Sequence, residues 1–386
     1  MTTTLSHAMA SRPIHSVKWN RYPSDVLPLW VADMDFRCPE PVLEALHERV
    51  DQGMFGYGFN SGELAELITA RLRSRYEWRV SVEDIVFIPG VVPGITLACR
   101  AATAPGDAVL IQEPVYAPIR KVAAGAKCIC HATQLVPGSS GRYEINWAEF
   151  ESALLDRTRV FVLCNPQNPT GRVFSRDELE RMSKACAKHG VVVISDEIHC
   201  DLVHDNHQHI PIASLSNEIA SRAITLMAPS KTFNLAGLQC AFAVIHNPEL
   251  RARFQELRTG LVPHVNAMGM VAAAAAFREG QPWLTDVLEY LGGNRELLAT
   301  FVHDQLTGIS MVAPEGTHLG WLNCRMSAAR DKPHDYFLQR ARVALSDGSI
   351  FGPGGEGFVR LNFACHRSTL VEALDRMAVA LAADHS

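Results

Sequence analysis

Residues 223–237 read AITLMAPSKTFNLAG: five apolar or β-branched residues, then Ala228, a proline, and Lys231 between two hydroxyls. A continuous apolar run, rather than an alternating one, is the pattern of a strand covered on both faces. Lys231 therefore falls just past the end of a buried strand. An ammonium there carries a large desolvation cost unless it snorkels, pairs with a carboxylate or is chemically committed. Ser230, Thr232, Asn234 and Gly237 suit a tight polar turn rather than a solvated helix face, which favours commitment. A lysine condensed with an aldehyde cofactor escapes the charge penalty and keeps an amine for proton transfer.

Working outward, five more runs have the same character: Ile85–Ile88, Ala108–Ile111, Val160–Leu163, Val191–Ile194 and Ala241–Ile245. They alternate with helical patterns, which predicts an α/β domain with a largely parallel sheet. Leu64, Leu67, Ile68, Leu72 and Tyr76 recur at helical spacing, with Asn60 and Glu63 as the expected cap and its reciprocal acid. Ser175 and Glu178 repeat that pattern before a helix closed by His189 and Gly190, and Ala272–Ala276 predicts a tightly packed helix at a domain interface. Past residue 280, helices over 284–298 and 336–344 and short strands over 320–324 and 358–362 predict a smaller α+β domain. The expected division is an N-terminal segment, 1–45, contributing to that small domain, a large domain over 46–280, and the small domain over 281–386.

Of the 386 residues, 47% are hydrophobic, and the net charge of −5 is spread without a like-charge block or basic stripe. Nucleic acid and anionic membrane are therefore not expected partners. The sequence offers no long apolar run and no secretory pattern at its start, so a cytoplasmic location is expected. Ten cysteines without a Cys-x-x-Cys pair read as reduced, mostly buried thiols. His199, His204, His207 and His209 lack the spacing of a zinc site; they read as a solvated loop plus one functional histidine, and no metal is expected.

Four motifs lie just beyond the carboxyl ends of expected strands, where open α/β sheets bind ligands. Pro89-Gly90-Val91-Val92-Pro93-Gly94 would start a helix whose free N–H groups bind an anion, with Gly90 allowing close approach. Asn165-Pro166-Gln167-Asn168-Pro169-Thr170-Gly171 would aim amide side chains from a rigid loop. Ser195-Asp196-Glu197-Ile198-His199 ends a strand with either a helix cap or a buried counter-ion. The fourth is the Lys231 segment. An anion site, an amide, a buried acid, a histidine and a lysine are what pyridoxal 5'-phosphate needs. The acid pair Asp33 and Asp35 reads as loop and domain-contact structure.

The chain resembles the fold type I pyridoxal-phosphate enzymes, specifically the cystathionine β-lyase and cystalysin-like C–S lyase branch of the class I/II aminotransferase-like family. The resemblance rests on SVKWN at 16, LPLWVADMDF at 27, FGYG at 55, PGVVPG at 89, EPVYAP at 113, CNPQNPTGRV at 164, SDEIHCDL at 195, APSKTFNLAGLQ at 228 and FVRLNFAC at 358. It implies a mostly parallel seven-stranded sheet sandwiched by helices. It also implies that Lys231 holds the cofactor and acts as base, that Asp196 pairs with the pyridinium, and that Asn168 donates to the ring oxygen with His199 nearby. Tyr116 would stack on the ring, Val91, Val92 and Ser230 would bind the phosphate beside Gly90, and Arg360 would clamp the substrate carboxylate. Tyr57 would reach the phosphate of the neighbouring subunit, which implies a homodimer. Gln239 stands where aminotransferases often carry a phosphate-pairing arginine, and His318 where the branch commonly has tyrosine. The implied activity is β-elimination from L-cystathionine or related L-cysteine S-conjugates, giving a thiol, pyruvate and ammonia. Transamination remains the alternative, since no residue forbids it; a cofactor-bound regulator with a protein partner is a third reading.

Overall fold

A computed structural model describes residues 15–56, 62–154, 157–205 and 207–383. In chain order the strands are β1 (Leu27–Pro28), β2 (Ile85–Ile88), β3 (Ala108–Glu113), β4 (Ile129–Pro137), β5 (Tyr143–Ile145), β6 (Thr158–Cys164), β7 (Val192–Asp196), β8 (Ala223–Met227), β9 (Ala241–Val244), β10 (Leu319–Asn323), β11 (Val343–Ala344), β12 (Ser346–Asp347) and β13 (Phe358–Asn362). Strands β2 to β9 form one sheet in the order β2-β9-β8-β7-β6-β3-β4-β5. The β4/β3, β3/β6, β6/β7 and β7/β8 pairs are parallel, whereas β9 runs antiparallel to both β8 and β2.

The sheet is α/β and mostly parallel, but it has eight strands where seven were expected. The additional one is β5, which folds back antiparallel on β4. It is only three residues long, and its buried–exposed–buried alternation belongs to a half-covered edge strand rather than to the continuous runs of the centre.

Those runs have a direct structural reason. Val109, Ile111, Val160 and Val162 face one apolar layer, with Ile95 and Ala98 from the helix Val91–Ala102 and Phe254 from Pro248–Arg258. Leu110, Phe161, Leu163 and Val193 face the opposite layer, with Leu179 and Met182 from the helix Arg176–Lys188. The expected Ser175–Glu178 capping box starts that last helix. Gly94 lets Val91–Ala102 lie close to the sheet: a Cβ there would overlap Ile88 Cδ1 and a Leu226 methyl.

A second apolar core joins Leu29, Met34, Phe36 and Val42 to Leu284, Leu291, Leu298, Leu361, Phe363, Leu374 and Leu381. It is faced by the antiparallel sheet β10-β13-β12, and β1 pairs in parallel with β11. The helix Ala267–Glu279 contributes Ala272, Ala275 and Ala276 to this core, and Ala273 to a separate apolar cluster with Ile68 and Phe242.

Two local expectations are corrected. The helix Glu63–Tyr76 is capped by Gly62 at φ 88° with no side-chain cap, and Asn60 lies outside the described residues. The segment 336–344 is not one helix: Pro333–Tyr336 passes into a wider turn over Phe337–Ala341 and then into β11. Arg342 at φ 55° ends the helical path, and the β-branched Val343 pairs with Leu27.

Candidate active site

The carboxyl ends of β2, β6, β7 and β8 open on one cavity of about 490 Å³, closed from the other side by residues 30–32 and by Ser346 and Arg360 of the small sheet. Its walls include Gly90, Val91, Val92, Tyr116, Asn168, Asp196, His199, Ser230, Lys231 and Arg360, so the sequence-derived site converges with one member left over. That remaining member, Tyr57, lies outside the described residues.

Each side chain is placed by its element. Lys231 sits on the short turn Pro229–Thr232 after β8; its Nζ donates to the Ala32 carbonyl at 2.7 Å and lies 3.5 Å from Asp33 Oδ1. Burial lowers its proton affinity, Asp33 opposes that, and Arg360 adds to it. Asp196 is the last residue of β7 and is 4% exposed. Among the described residues its carboxylate accepts the Ile198 N–H and has no ion pair, and burial pushes its pKa up to about 7.

On β13, Arg360 donates from Nη1 to Asn168 Oδ1 at 2.8 Å and from Nη2 to the Trp30 carbonyl and Ser346 Oγ. Its Nε has no partner among the described residues, its guanidinium lies 4.9 Å from the Phe351 ring centre, and burial brings its pKa down to about 10. Because Asn168 spends its oxygen on Arg360, its amide N–H groups are the part left to address a ligand. Tyr116 is half-buried, and its phenol is held protonated by burial. His199 is buried, with its pKa lowered to about 3 by desolvation, Lys231 and Arg360. Its ring meets that of His318 edge-on at 5.8 Å, and neither His318 nitrogen has a partner among the described residues.

Gly90 caps the helix Val91–Ala102 in an extended conformation that any residue adopts, and a Cβ would touch only the Pro93 ring at 3.5 Å. The backbone therefore does not require this glycine. What the turn offers is a 12-residue helix whose Val91 and Val92 N–H groups begin at the cavity without a side-chain cap, next to Ser230.

These residues fit pyridoxal 5'-phosphate. A buried carboxylate without a cation suits a protonated ring nitrogen, uncapped helix N–H groups suit a phosphate, and a half-buried lysine of lowered proton affinity suits an aldehyde.

The histidine-rich segment differs from expectation. His204 and His209 are each 3% exposed, not solvated. His204 Nε2 bonds the Thr317 carbonyl at 2.6 Å, and His209 Nε2 bonds Glu197 at 2.8 Å. Glu197 also accepts from Ser195 Oγ and the Ile212 N–H, and so braces the turn that carries Asp196 and His199. A polar loop composition conceals this, because the acid that buries His209 lies in another motif. The acid pair expected to be loop structure divides: Asp33 Oδ1 lies 3.5 Å from Lys231 Nζ. Asp35, by contrast, is structural: it pairs with Lys18 at 2.8 Å, both almost fully buried.

The chain matches the family model for aminotransferase class I and II over residues 24–377. Cystathionine β-lyase PatB of Bacillus subtilis (strain 168) is 40% identical over 375 residues, spanning 95% of this chain and 96% of that protein. Among solved structures, OvoB superposes with a TM-score of 0.92 at 44% identity, covering 96% of this chain and 97% of that one. Cystalysin from Treponema denticola, which contains a pyridoxal 5'-phosphate cofactor, superposes with a TM-score of 0.94 at 30% identity over the full length of both chains. With the family model spanning nearly the whole fold and the cavity residues in place, the chain belongs to the class I and II aminotransferase family.

Proposed function

We propose that this protein is a pyridoxal-phosphate-dependent carbon–sulfur β-lyase that converts L-cystathionine or related L-cysteine S-conjugates to a thiol, pyruvate and ammonia. The observation that carries the reading is the convergence of Lys231, Asp196 and Arg360 on one cavity, in a chain 40% identical to a cystathionine β-lyase over 95% of its length. When bound, the cofactor supplies an electron sink for the negative charge that develops at the substrate α carbon.

The side chains then have distinct tasks. Arg360, already held by Asn168, Trp30 and Ser346, presents Nε to the substrate carboxylate and fixes which α bond faces Lys231. Lys231 Nζ, once free of the cofactor, takes the α proton as that C–H bond breaks. Asp196 ionises against the ring-nitrogen proton and keeps it there. The Cβ–S electron pair departs with the thiolate, which takes its proton from the Lys231 ammonium; His199, held neutral by burial, has no acidic proton to give. Released aminoacrylate hydrolyses to pyruvate and ammonia.

The reading extends to organisation. Residues 46–280 are the cofactor-binding domain, and 1–45 with 281–386 the small domain, a division supported by the core that joins Leu29 and Phe36 to Leu374. The chain works in the cytoplasm as a homodimer with shared active sites. The exposed Met54 and Phe55, 73% and 65% accessible beside the Tyr57 segment, support a partner surface there. Sedimentation of the holoenzyme should give twice the chain mass at micromolar concentration; a single-chain species would contradict the dimer. The activity itself is tested by thiol release: the holoenzyme should liberate homocysteine steadily from L-cystathionine, and recovery of intact substrate would reject the lyase.

A further inference from the structure

Beside the lysine lies a constellation that the elimination scheme leaves unused. The loop 31–36 is clamped from three directions. The Asp33 carbonyl accepts from Lys18 Nζ at 3.0 Å and from Asn362 Nδ2 at 2.7 Å, and the Val31 carbonyl accepts from Asn362 at 2.6 Å. Asn234 bonds the Met34 N–H and the Met34 and Phe36 carbonyls. Because Asn234 stands three residues after Lys231, the loop and the lysine's turn are tied together. The result is that the Ala32 carbonyl and the Asp33 carboxylate meet Lys231 Nζ at 2.7 and 3.5 Å. The Asp33 side chain is 39% exposed, and among the described residues Lys231 is its ion-pair partner.

We propose that the Ala32 carbonyl and the Asp33 carboxylate form a receiving station for the Lys231 ammonium, which makes Asp33 a further catalytic residue of this site. The proposal rests on Lys231 being the base. A base that takes the α proton becomes a cation inside a cavity that already holds the Arg360 guanidinium, and the chemistry requires an anion at the point where the charge appears. The Cα–H bond breaks, an N–H bond forms on Nζ, and the new ammonium sits on two oxygens until it passes its proton on. The groups acting on Nζ are Asp33, Asp196, Arg360 and Lys18, with His199 and His318 near it and neutral. Asp196 is committed to the ring nitrogen and Asp35 is paired with Lys18, which leaves Asp33 as the anion beside Nζ that answers Arg360.

The test uses full-length protein carrying Asp33→Asn, with Asp33→Ser as a second variant and Asp33→Glu as the rescue. First, Lys231 in cofactor-free protein is acylated with acetic anhydride across pH and followed by peptide mass spectrometry. The midpoint should fall by about one pH unit in both neutral variants, a tenfold loss of proton affinity, and return in Asp33→Glu. Second, in the holoenzyme the acid limb of kcat should move down in pH by a similar amount while its plateau falls. An unchanged midpoint, whatever happens to kcat, overturns the assignment, because a structural role would lower activity without moving the lysine. The two readings separate: a shifted midpoint in a protein that releases no thiol rejects the lyase and keeps the station, and thiol release with an unmoved midpoint does the reverse.

Discussion

At the scale of single residues, the site is built from groups held in charge states that water would not favour. Asp196 and His199 show the two directions of this effect. The Asp196 carboxyl, with its pKa raised from 3.8 to about 7, contributes stability to the cofactor-free fold below pH 4 that is lost as pH rises toward 7. His199, lowered from 6.5 to about 3, does the opposite: the fold loses stability as pH falls below 6.5, because the unfolded imidazole protonates first. Asp196→Asn, which keeps the shape and removes the ionisation, should therefore stabilise the cofactor-free protein at pH 8 and change it little at pH 4. Denaturant midpoints at the two pH values check this. In the holoenzyme the same change should lower kcat/KM by on the order of a hundredfold, because the ring nitrogen loses the anion that keeps its proton.

At the scale of elements, the carboxyl end of each central strand delivers one functional group, and the packing beneath sets where it points. Gly94 is the tightest case. Alanine would gain up to about 1 kcal/mol of helix propensity, yet its methyl would overlap Ile88 and Leu226 in a closed layer, an overpacking cost of about 1–3 kcal/mol. Gly94→Ala should lower stability by about 1–2 kcal/mol net and weaken phosphate binding by displacing the Val91–Ala102 helix start. Equilibrium unfolding and cofactor titration measure both; an unchanged midpoint would show that the helix does not depend on this close approach. Much of this scale is legible in sequence. The continuous runs of β3, β6, β7 and β8 announce a doubly covered sheet, and Ser175 with Glu178 announces a cap. What is not legible is pairing sense and edge structure. Nothing in Ala241–Val244 marks β9 as antiparallel, and β5 is too short to show a period.

At the scale of the whole molecule, function arises where two bodies of chain close on each other. Lys231, Asp196, Ser230 and Asn168 come from the sheet, and each carries a local sign: a lysine or acid past a buried strand, an amide in a proline-rich loop. Arg360 and the 30–33 loop come from the other side. Arg360 is marked by FVRLN in the resemblance, whereas Asp33, although it lies inside LPLWVADMDF, carries no local sign that it meets Lys231. Ala32, its neighbour, meets Lys231 across 199 residues of sequence, and only the clamp by Lys18, Asn234 and Asn362 brings them together. His209 was unreadable for the same reason, since its partner Glu197 belongs to the motif that carries Asp196. Long-range polar pairing is the part of a fold that local periodicity does not encode.

The most direct measurement is product stoichiometry from L-cystathionine, with pyruvate and free thiol assayed with and without an added 2-oxo acid. β-Elimination predicts equal amounts of both without the oxo acid and no gain when it is added. Turnover only in its presence, with a new amino acid formed and no thiol released, would contradict the lyase and make this protein an aminotransferase.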